Sequence, residues 1–434
     1  MNLLKAVLKQ EVFPALGCTE PIALAYASGL ASRDLKGDVD RIKITVDPGV
    51  YKNGFAVTVP NTGGQKGNRI AATLGALIKR PELQMQILKP VTPEHIKQAL
   101  QLIKKDRIHL TFDSQLTELT IDVHVTTTRG ETARVIIRNA HTHVVYHQVN
   151  DKVLLDIREH HRHENRETGD ADYKTRLKAS KFSDFLEWVQ EMDSEDSGFI
   201  QRGIEMNLEI AEAGKKLDKV GHYVSELLEK GYLVDDVFTV SKILTASATD
   251  ARMAGLNYPV MASGGSGNQG IVAILVPYSV GLHYKISQPV ILQSIALSHL
   301  INSYIKCYTG DLSVLCGCAV AAGAGAAVAI VFQQYPEDLE KMTLALNTVL
   351  SDLGGMLCDG AKGGCALKVA SSTDSAIRAA YMALNGHGIT HSEGFVGRTA
   401  EETVAHLGQI CHDGMSHVDE TMLDIMLDKT LNPS

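Results

Sequence analysis

The feature that most restricts the fold is a stretch of 19 residues without a charge, residues 314–332, VLCGCAVAAGAGAAVAIVF. A run of this length could just span a bilayer as a helix. However, the run is mostly alanine and glycine, it contains two cysteines, and the sequence has no comparable second span. Because small side chains let backbones approach closely, we expect a helix at the centre of a bundle, against its neighbours or beside an inorganic group.

The length and composition are those of an ordinary globular protein. The 434 residues are 44% apolar and 21% charged, enough for two or three domains with a sizeable core. The net charge is −8 and the basic residues are scattered, which argues against a nucleic-acid partner or an anionic membrane surface. The opening letters MNLLKAVLKQEV indicate an amphipathic helix, not a leader. We therefore expect a cytoplasmic protein, in which clustered thiols are metal ligands or catalytic groups more often than disulfides.

Hydrophobic periodicity divides the chain into three parts. Residues 1–37 are expected to form an N-terminal helical segment that packs on the C-terminal domain. Between residues 38 and 165, alternating apolar positions such as residues 42–46 predict strands, and Thr92 followed by proline predicts a helix start. From residue 166 to residue 434 the spacing is helical. The predicted fold class is α+β: an all-helical domain with an inserted α/β domain of mixed strands and helices.

Four of the seven cysteines fall within fifty residues, in the most Gly- and Ala-rich part of the chain. Cys316 and Cys318 form a C-x-C pair, and Cys358 and Cys365 form a C-x6-C pair within a glycine-rich segment. These spacings make a poor zinc knuckle. They suit an iron–sulfur cluster better, since three thiolates on a four-iron cube leave one iron open for a substrate. Structural buried cysteines, a zinc site and a redox disulfide are the alternatives.

A glycine-rich loop, residues 263–270, precedes an apolar run that predicts a helix. Bare backbone N–H groups at a helix start bind anions, here plausibly a carboxylate. The loop is not a P-loop, because no Gly-Lys-Ser/Thr closes it. A tightly packed turn is the alternative. The candidate substrate-binding residues are Ser263, Gly264, Gly265, Ser266, Gly267 and Asn268.

A second glycine-rich helix start, VPNTGGQKGN, covers residues 59–68. Its Asn61 and Lys66 could reach a substrate carboxylate. An ordinary strand-to-helix turn explains the same letters.

Cys18 stands in the motif GCTEP, directly before a predicted helix. A thiol at a helix N-terminus has a lowered pKa and can serve as a base or a nucleophile. Thr19 and Glu20 are candidate substrate-binding residues beside it. A buried small hydrophobic residue is the alternative for such a cysteine.

The histidines are weaker metal candidates, because they fall in a charged linker, on a half-exposed strand or in a glycine-rich loop. They are His141, His143, His160, His161, His163, His387 and His391. The two remaining cysteines, Cys307 and Cys411, have no partner at a useful spacing and are interpreted as structural.

Four motifs, GCTEPIA, SGGSGNQGI, LCGCAVAAGAGAA and CDGAKGGCALKVA, together resemble the L-cysteine desulfidase family. Many of its bacterial members form an uncharacterised conserved family, related to the catalytic chain of iron–sulfur L-serine dehydratases. The resemblance covers essentially the whole chain, and the motifs arrive in family order. It implies that the C-terminal part is an iron–sulfur catalytic domain. The implied reaction converts L-cysteine to pyruvate, ammonia and sulfide with a 4Fe–4S cluster and without pyridoxal phosphate.

The resemblance also implies roles for individual residues. The metal ligands would be Cys318, Cys358 and Cys365, with Cys316 as the alternative to Cys318. Cys18 would be the proton acceptor, or else a further ligand. The chain has no terminal cysteine that could cap an open iron.

Two other functions compete with this one. L-serine ammonia-lyase (dehydratase) activity would use the same cofactor and loop and differ only in the leaving group. A zinc or thiol protein that binds small amino acids without turning them over is the non-catalytic alternative. A homodimer is the default expectation for an enzyme of this size.

Overall fold

The computed structural model describes residues 2–158 and 169–431 of the chain. In the first of these ranges, helices alternate with the strands of one large sheet. The helices are α1 (Leu4–Glu11), α2 (Thr19–Ser32), α3 (Pro48–Gly54), α4 (Asn68–Ile78) and α5 (Pro93–Lys104), with a short 3₁₀ helix at Pro81–Gln86. The strands are β1 (Pro14–Ala15), β2 (Val39–Val46), β3 (Ile108–Phe112), β4 (Thr120–Thr127), β5 (Thr132–Arg138), β6 (Val144–Val149) and β7 (Lys152–Asp156).

The large sheet is mixed, with the strand order β3-β2-β4-β5-β6-β7. Strand β2 pairs in parallel with β3, and the other neighbours are antiparallel. The alternating residues Ile42, Ile44 and Val46 are buried in one core with apolar side chains of α2 and α4, as their period of two predicts. Helix α5 begins where the sequence indicated, because the Thr92 hydroxyl accepts a hydrogen bond from the His95 N–H.

In the second range helices dominate. They are α6 (Gly169–Ala179), α7 (Phe182–Gln190), α8 (Ser194–Gly214), α9 (Val220–Glu229), α10 (Val237–Met253), α11 (Gly267–His283), α12 (Gln288–Thr309), α13 (Ala321–Gln334), α14 (Leu339–Leu353), α15 (Cys365–Leu384), α16 (Ala400–Gln409) and α17 (Val418–Leu431). A two-residue strand, β8 (Val260–Met261), precedes α11, and a π-helical turn at Ile410–Gly414 follows α16. The predicted α+β fold class is confirmed.

Helix α13 lies at the centre of the helical part and packs against α11, α12, α14 and α15. Its small residues permit this close approach: a Cβ on Gly325 would lie 2.6 Å from the Ser298 carbonyl oxygen in α12. The uncharged run at residues 314–332 is therefore a turn followed by a buried helix. No described helix is long and apolar enough to cross a membrane.

A short ladder ties the N-terminal segment to the helical part. Strand β1 pairs antiparallel with β8, with Pro14 opposite Met261 and Ala15 opposite Val260. Helix α1 joins the core of the helical part, whereas α2 packs on the sheet. The N-terminal segment is thus shared between two cores, where the sequence suggested packing on the helical part alone. The domain boundaries at residues 37 and 165 stay a prediction.

Candidate active site

Two segments that are far apart in the sequence are held side by side by backbone hydrogen bonds. The Cys316 N–H donates to the Met356 carbonyl at 2.8 Å, and the Cys358 N–H donates to the Val314 carbonyl at 2.7 Å. Cys365 follows as the first residue of α15. The two cysteine pairs therefore meet because a short antiparallel contact joins the segments that carry them.

These cysteines surround a cavity of about 90 Å³, here called the inner cavity. Five thiols line it, those of Cys18, Cys316, Cys318, Cys358 and Cys365. All five are free, and four are buried, with Cys358 half-buried.

The Cys316–Cys318 pair differs from the sequence expectation. On a helix, residues two apart point in directions about 200° apart, which would let only one of them face a ligand. The segment forms a turn before α13, and the two Sγ atoms lie 3.2 Å apart. Both side chains line the inner cavity.

The cysteine thiols affect one another's protonation. Burial raises the pKa of Cys358, Lys52 opposes that shift, and negative charge on Cys316 adds to it. Burial likewise raises the pKa of Cys365. The hydrogen bond between Cys316 and Cys318 lowers the pKa of Cys316 and raises the pKa of Cys318. The thiols would all deprotonate together only if positive charge were placed among them.

Cys18 reaches the cavity because β1 pairs with β8 only a few residues before it. It precedes α2, is 4% exposed, and packs against Cys365, Val57 and Met253. The expectation of a lowered thiol pKa was wrong: burial and the Glu20 carboxylate raise the pKa of Cys18 well above its ordinary value. Cys18 is therefore a protonated thiol, and it donates a hydrogen bond to the Glu20 Oε2 at 2.9 Å.

Glu20 collects hydrogen bonds from three donors. Besides Cys18, the Thr19 hydroxyl donates to its Oε2 at 3.1 Å and the Asn53 amide donates to its Oε1 at 2.9 Å. Burial alone would raise the pKa of Glu20, but His141 and the donors Cys18 and Asn53 lower it. The buried site thus contains an ionised carboxylate in contact with a neutral thiol.

The glycine-rich loop, residues 263–270, divides between two spaces. Ser266 and Asn268 line the inner cavity, whereas Gly264 and Gly265 face a larger cleft. Fewer backbone N–H groups of the loop are free than expected. Those of Ser263 and Ser266 donate to each other's carbonyls, and that of Gly265 donates to the Glu11 carbonyl. The helix start itself remains open: Ser266 makes no side-chain cap on α11.

Polar side chains of α12 hold this loop from behind. The hydroxyl of Ser263 contacts the His299 Nδ1 at 2.8 Å and accepts from the Asn302 amide at 3.0 Å. Burial lowers the pKa of His299 to about 3, so its ring is neutral and can accept from the hydroxyl. Lys306 donates to the Gly264 carbonyl. The Ser263 hydroxyl and the Gly264 carbonyl therefore fix the loop.

Two of the sequence candidates lie away from the cavity. The Asn61 amide donates to the carbonyl of Leu88 at 3.0 Å and to the side chain of Asn257 at 3.2 Å. Lys66 is exposed and pairs through its backbone with Thr58. Their segment is the strand-to-helix turn that was the alternative interpretation.

Among the candidate histidines that the structure describes, His141 approaches the glycine-rich loop. A Cβ on Gly265 would lie 3.8 Å from the His141 Nδ1. His141 also lowers the pKa of Glu20 by electrostatic attraction. His387 and His391 are exposed residues of the loop after α15. Three others lie outside the described residues: His160, His161 and His163.

Several polar residues of the inner cavity were missed by sequence reasoning. Among them are Asn53, Arg252, Gln269 and Lys368. Arg252 had only a weak signal: most of its neighbours in ATDARMAG are small or apolar, but Asp250 stands two positions before it as an apparent partner. Asn53 had none, since it reaches Glu20 only through the folding of α3 against α2.

The larger cleft, here called the outer cleft, has a volume of about 1920 Å³. It shares one wall with the inner cavity, formed by Lys306 and residues 309–313. Lys174 contacts Asp311 at 2.7 Å in this wall, and Lys306 contacts it at 3.5 Å. Small molecules can reach this wall from outside.

Within residues 2–158 and 169–431, no group of three or more His, Cys, Asp or Glu side chains is arranged to hold a single metal ion. The inner cavity thiols line a space and do not converge on one point.

Comparisons with known proteins identify the family. The family model for the serine dehydratase alpha chain matches residues 82–424. The chain therefore belongs to the serine dehydratase alpha chain family, which confirms the relationship that the four motifs indicated. No solved structure matches the chain.

Curated bacterial relatives match the chain over nearly its whole length. A UPF0597 protein of Geobacter sulfurreducens is 57% identical over 429 residues, covering 99% of both chains. A UPF0597 protein of Elusimicrobium minutum is 48% identical, covering 99% of this chain and 100% of its own. One from Alkaliphilus oremlandii is 37% identical, covering 98% of both chains. Relatives of the whole chain thus occur in several bacteria.

Proposed function

We propose that the inner cavity is the active site of a pyridoxal-independent lyase that acts on L-cysteine and yields pyruvate, ammonia and sulfide. The observation that carries the proposal is the meeting of two cysteine pairs with a fifth thiol that is hydrogen-bonded to a carboxylate. Membership of the serine dehydratase alpha chain family supports β-elimination from a small amino acid.

The donor set fits a 4Fe–4S cluster better than a single ion. Cysteine thiolates are the usual ligands of such clusters, and these thiols surround a space instead of meeting at a point. We propose Cys318, Cys358 and Cys365 as the ligands, with Cys316 as the alternative to Cys318. Held by these residues, the cluster would supply Lewis acidity for the departing β-substituent.

Cys18 is the proposed proton acceptor. In this proposal positive charge bound among the thiols favours the Cys18 thiolate, whose proton passes to the hydrogen-bonded Glu20, and the thiolate then removes the Cα proton of the substrate. The electron pair of the Cα–H bond forms the Cα=Cβ bond, and sulfide leaves with the electrons of the Cβ–S bond. The aminoacrylate product tautomerises and hydrolyses to pyruvate and ammonia. The competing role for Cys18 is that of a further ligand.

The start of α11 is the proposed site for the substrate carboxylate. Ser266 and Asn268 line the cavity there, and Gly267 lies between them. Backbone N–H groups at a helix start attract an anion and stabilise the negative charge that develops next to the carboxylate. Burial of the cavity keeps water from competing for these donors.

L-serine is the second candidate substrate. The name of the family supports it, and the same residues could remove the Cα proton while a β-hydroxyl departs. The preference for L-cysteine over L-serine would depend on the groups that surround the leaving sulfur or oxygen atom. In this proposal the same thiols surround that atom with either substrate.

The test is anaerobic reconstitution of the full chain with iron and sulfide, followed by pyruvate release from L-cysteine and from L-serine. We expect pyruvate and sulfide from L-cysteine at the higher kcat/KM. Cys411→Ala is a matched control, because this buried cysteine lies outside the inner cavity. A colourless protein that binds zinc and makes no pyruvate from either amino acid would overturn the proposal.

A further inference from the structure

Arg252 is a buried cation without a counter-charge. Its side chain belongs to α10, is 3% exposed and lines the inner cavity. Among the described residues no carboxylate lies within ion-pair distance of it: Glu20 is bonded to Cys18, Thr19 and Asn53 instead. A buried charge that lacks a partner is strongly unfavourable. The folded chain therefore keeps a positive charge ready for an anion at this point.

The donors of Arg252 are only partly used. Its Nη1 donates to the Asn268 Oδ1 at 3.0 Å, which orients the guanidinium. Its Nε is buried and has no hydrogen-bond partner. A guanidinium presents donors in a planar fork that matches the two oxygens of a carboxylate.

The start of α11 lies against the same guanidinium. A Cβ on Gly267 would be only 2.3 Å from the Arg252 Nε. The N–H groups of the first turn of α11 belong to Gly267, Asn268 and Gln269, and no described residue accepts from them. A helix start and a buried cation therefore provide positive charge at one place, and each of these observations is independent of the other.

We propose that Arg252, together with the amides at the start of α11, is the anchor for the substrate carboxylate. The inference rests on the proposed function for the identity of the substrate as an α-amino acid. The inference adds Arg252 as the residue that makes the site selective for carboxylates. An amine that lacks the carboxylate is therefore not bound. The competing explanation is that Arg252 only balances negative charge on the cysteine thiolates.

The experiment measures binding, so that it does not depend on turnover. L-alanine has the substrate's carboxylate and ammonium but no leaving group, and ethylamine is the same molecule without the carboxylate. Calorimetric titration of the full-length reconstituted protein should show binding of L-alanine and none of ethylamine. The Arg252→Gln variant should bind L-alanine at least about 100-fold more weakly, the usual effect of removing one partner of a buried charge pair. Its iron content should equal that of the wild type.

Two further variants make the test robust to a folding defect. Gly267→Ala retains Arg252 but displaces its guanidinium, so it should lose the same affinity. Arg378→Gln removes an arginine of α15 that is half-exposed and paired with Asp352, and it should bind L-alanine normally. With L-cysteine as substrate, Arg252→Gln should raise KM far more than it lowers kcat, because the carboxylate is held equally before and during the reaction.

The outcomes separate the two claims. Normal L-alanine binding by both Arg252→Gln and Gly267→Ala overturns the anchor, as does loss of iron from Arg252→Gln. A wild-type protein that makes no pyruvate but binds L-alanine through Arg252 contradicts the proposed reaction and leaves the anchor standing.

Discussion

The inner cavity and the outer cleft share a wall, yet their charged groups are paired differently. In the outer cleft, Asp311 lies between Lys174 and Lys306, and the Glu11 carboxylate accepts from the Tyr173 hydroxyl at 2.7 Å. In the inner cavity, Arg252 has an unpartnered Nε and the cysteine thiols have mainly one another. Size and polarity therefore do not support one space over the other as the proposed active site. The clustered thiols and the unpaired guanidinium support the inner cavity, because they require something that the folded chain does not itself supply.

The largest expected effect on iron content and activity comes from removing a proposed cluster ligand in the inner cavity. Cys358→Ala and Cys365→Ala should each lose cluster iron, brown colour and activity together, because three protein ligands are the minimum for the proposed cluster. Iron analysis and absorption near 400 nm measure this, with Cys411→Ala as the control. Full iron retention in both variants would contradict the ligand assignment.

The next effect concerns Cys18. If it is the proton acceptor, Cys18→Ser should retain the iron and lose turnover by about 10²–10⁴-fold, the usual contribution of a positioned base. Exchange of the Cα hydrogen with solvent should fall by the same factor. Loss of iron instead would make Cys18 a ligand.

The Cys316–Cys318 pair should give a smaller and asymmetric effect. We expect Cys318→Ala to lose iron and Cys316→Ala to keep most of it. The 3.2 Å contact between the two Sγ atoms places Cys316 close to the position of the Cys318 thiol, so we expect Cys316 to restore part of the iron binding in Cys318→Ala. Iron content per chain measures the asymmetry, and a reversal would exchange the two roles.

The smallest expected effect concerns Asp311 in the wall of the outer cleft, and it is an effect on the free energy of unfolding. Burial alone would raise the pKa of Asp311, but Lys306 and Lys174 hold it at about 2. A carboxylate with a lowered pKa stabilises the fold above its unfolded pKa near 4, and this contribution is lost as the pH falls from about 4 to about 2. Since about a third of the side chain is exposed, we expect Asp311→Asn to cost about 1–2 kcal/mol of unfolding free energy at pH 7.

Urea denaturation of wild type and Asp311→Asn, at pH 7 and at pH 3, measures this difference. The gap between the two proteins should narrow at the lower pH, while iron content stays equal at pH 7. A gap that does not change with pH would mean that the Asp311 charge does not stabilise the wall.

Much of the fold followed from the sequence because its signals are local. The period of two at residues 42–46 and the Thr92 cap gave the correct elements, and the small residues of the uncharged run predicted the buried position of α13. The meeting of the cysteine pairs was expected from four short motifs, although only the fold brings their segments into contact.

The errors arose where a local pattern has two tertiary outcomes. The helix starts near Asn61 and near Ser266 have similar glycine-rich letters, but the β1–β8 ladder brings only the second to the cavity. The thiol pKa of Cys18 was misjudged because burial, and the Glu20 carboxylate that folds back onto the thiol, outweigh the position at a helix start. Arg252 was overlooked because its lack of a partner is visible only when every neighbour is in place.

The most direct test of the account is to determine what the inner cavity holds. Iron and acid-labile sulfide should be measured in the anaerobically reconstituted full chain, and its electron paramagnetic resonance recorded after reduction, with and without L-cysteine. The account predicts about four irons and four sulfides per chain, with a signal that L-cysteine changes and ethylamine does not. A chain that takes up zinc in place of iron, or a cluster whose signal L-cysteine leaves unchanged, would contradict it.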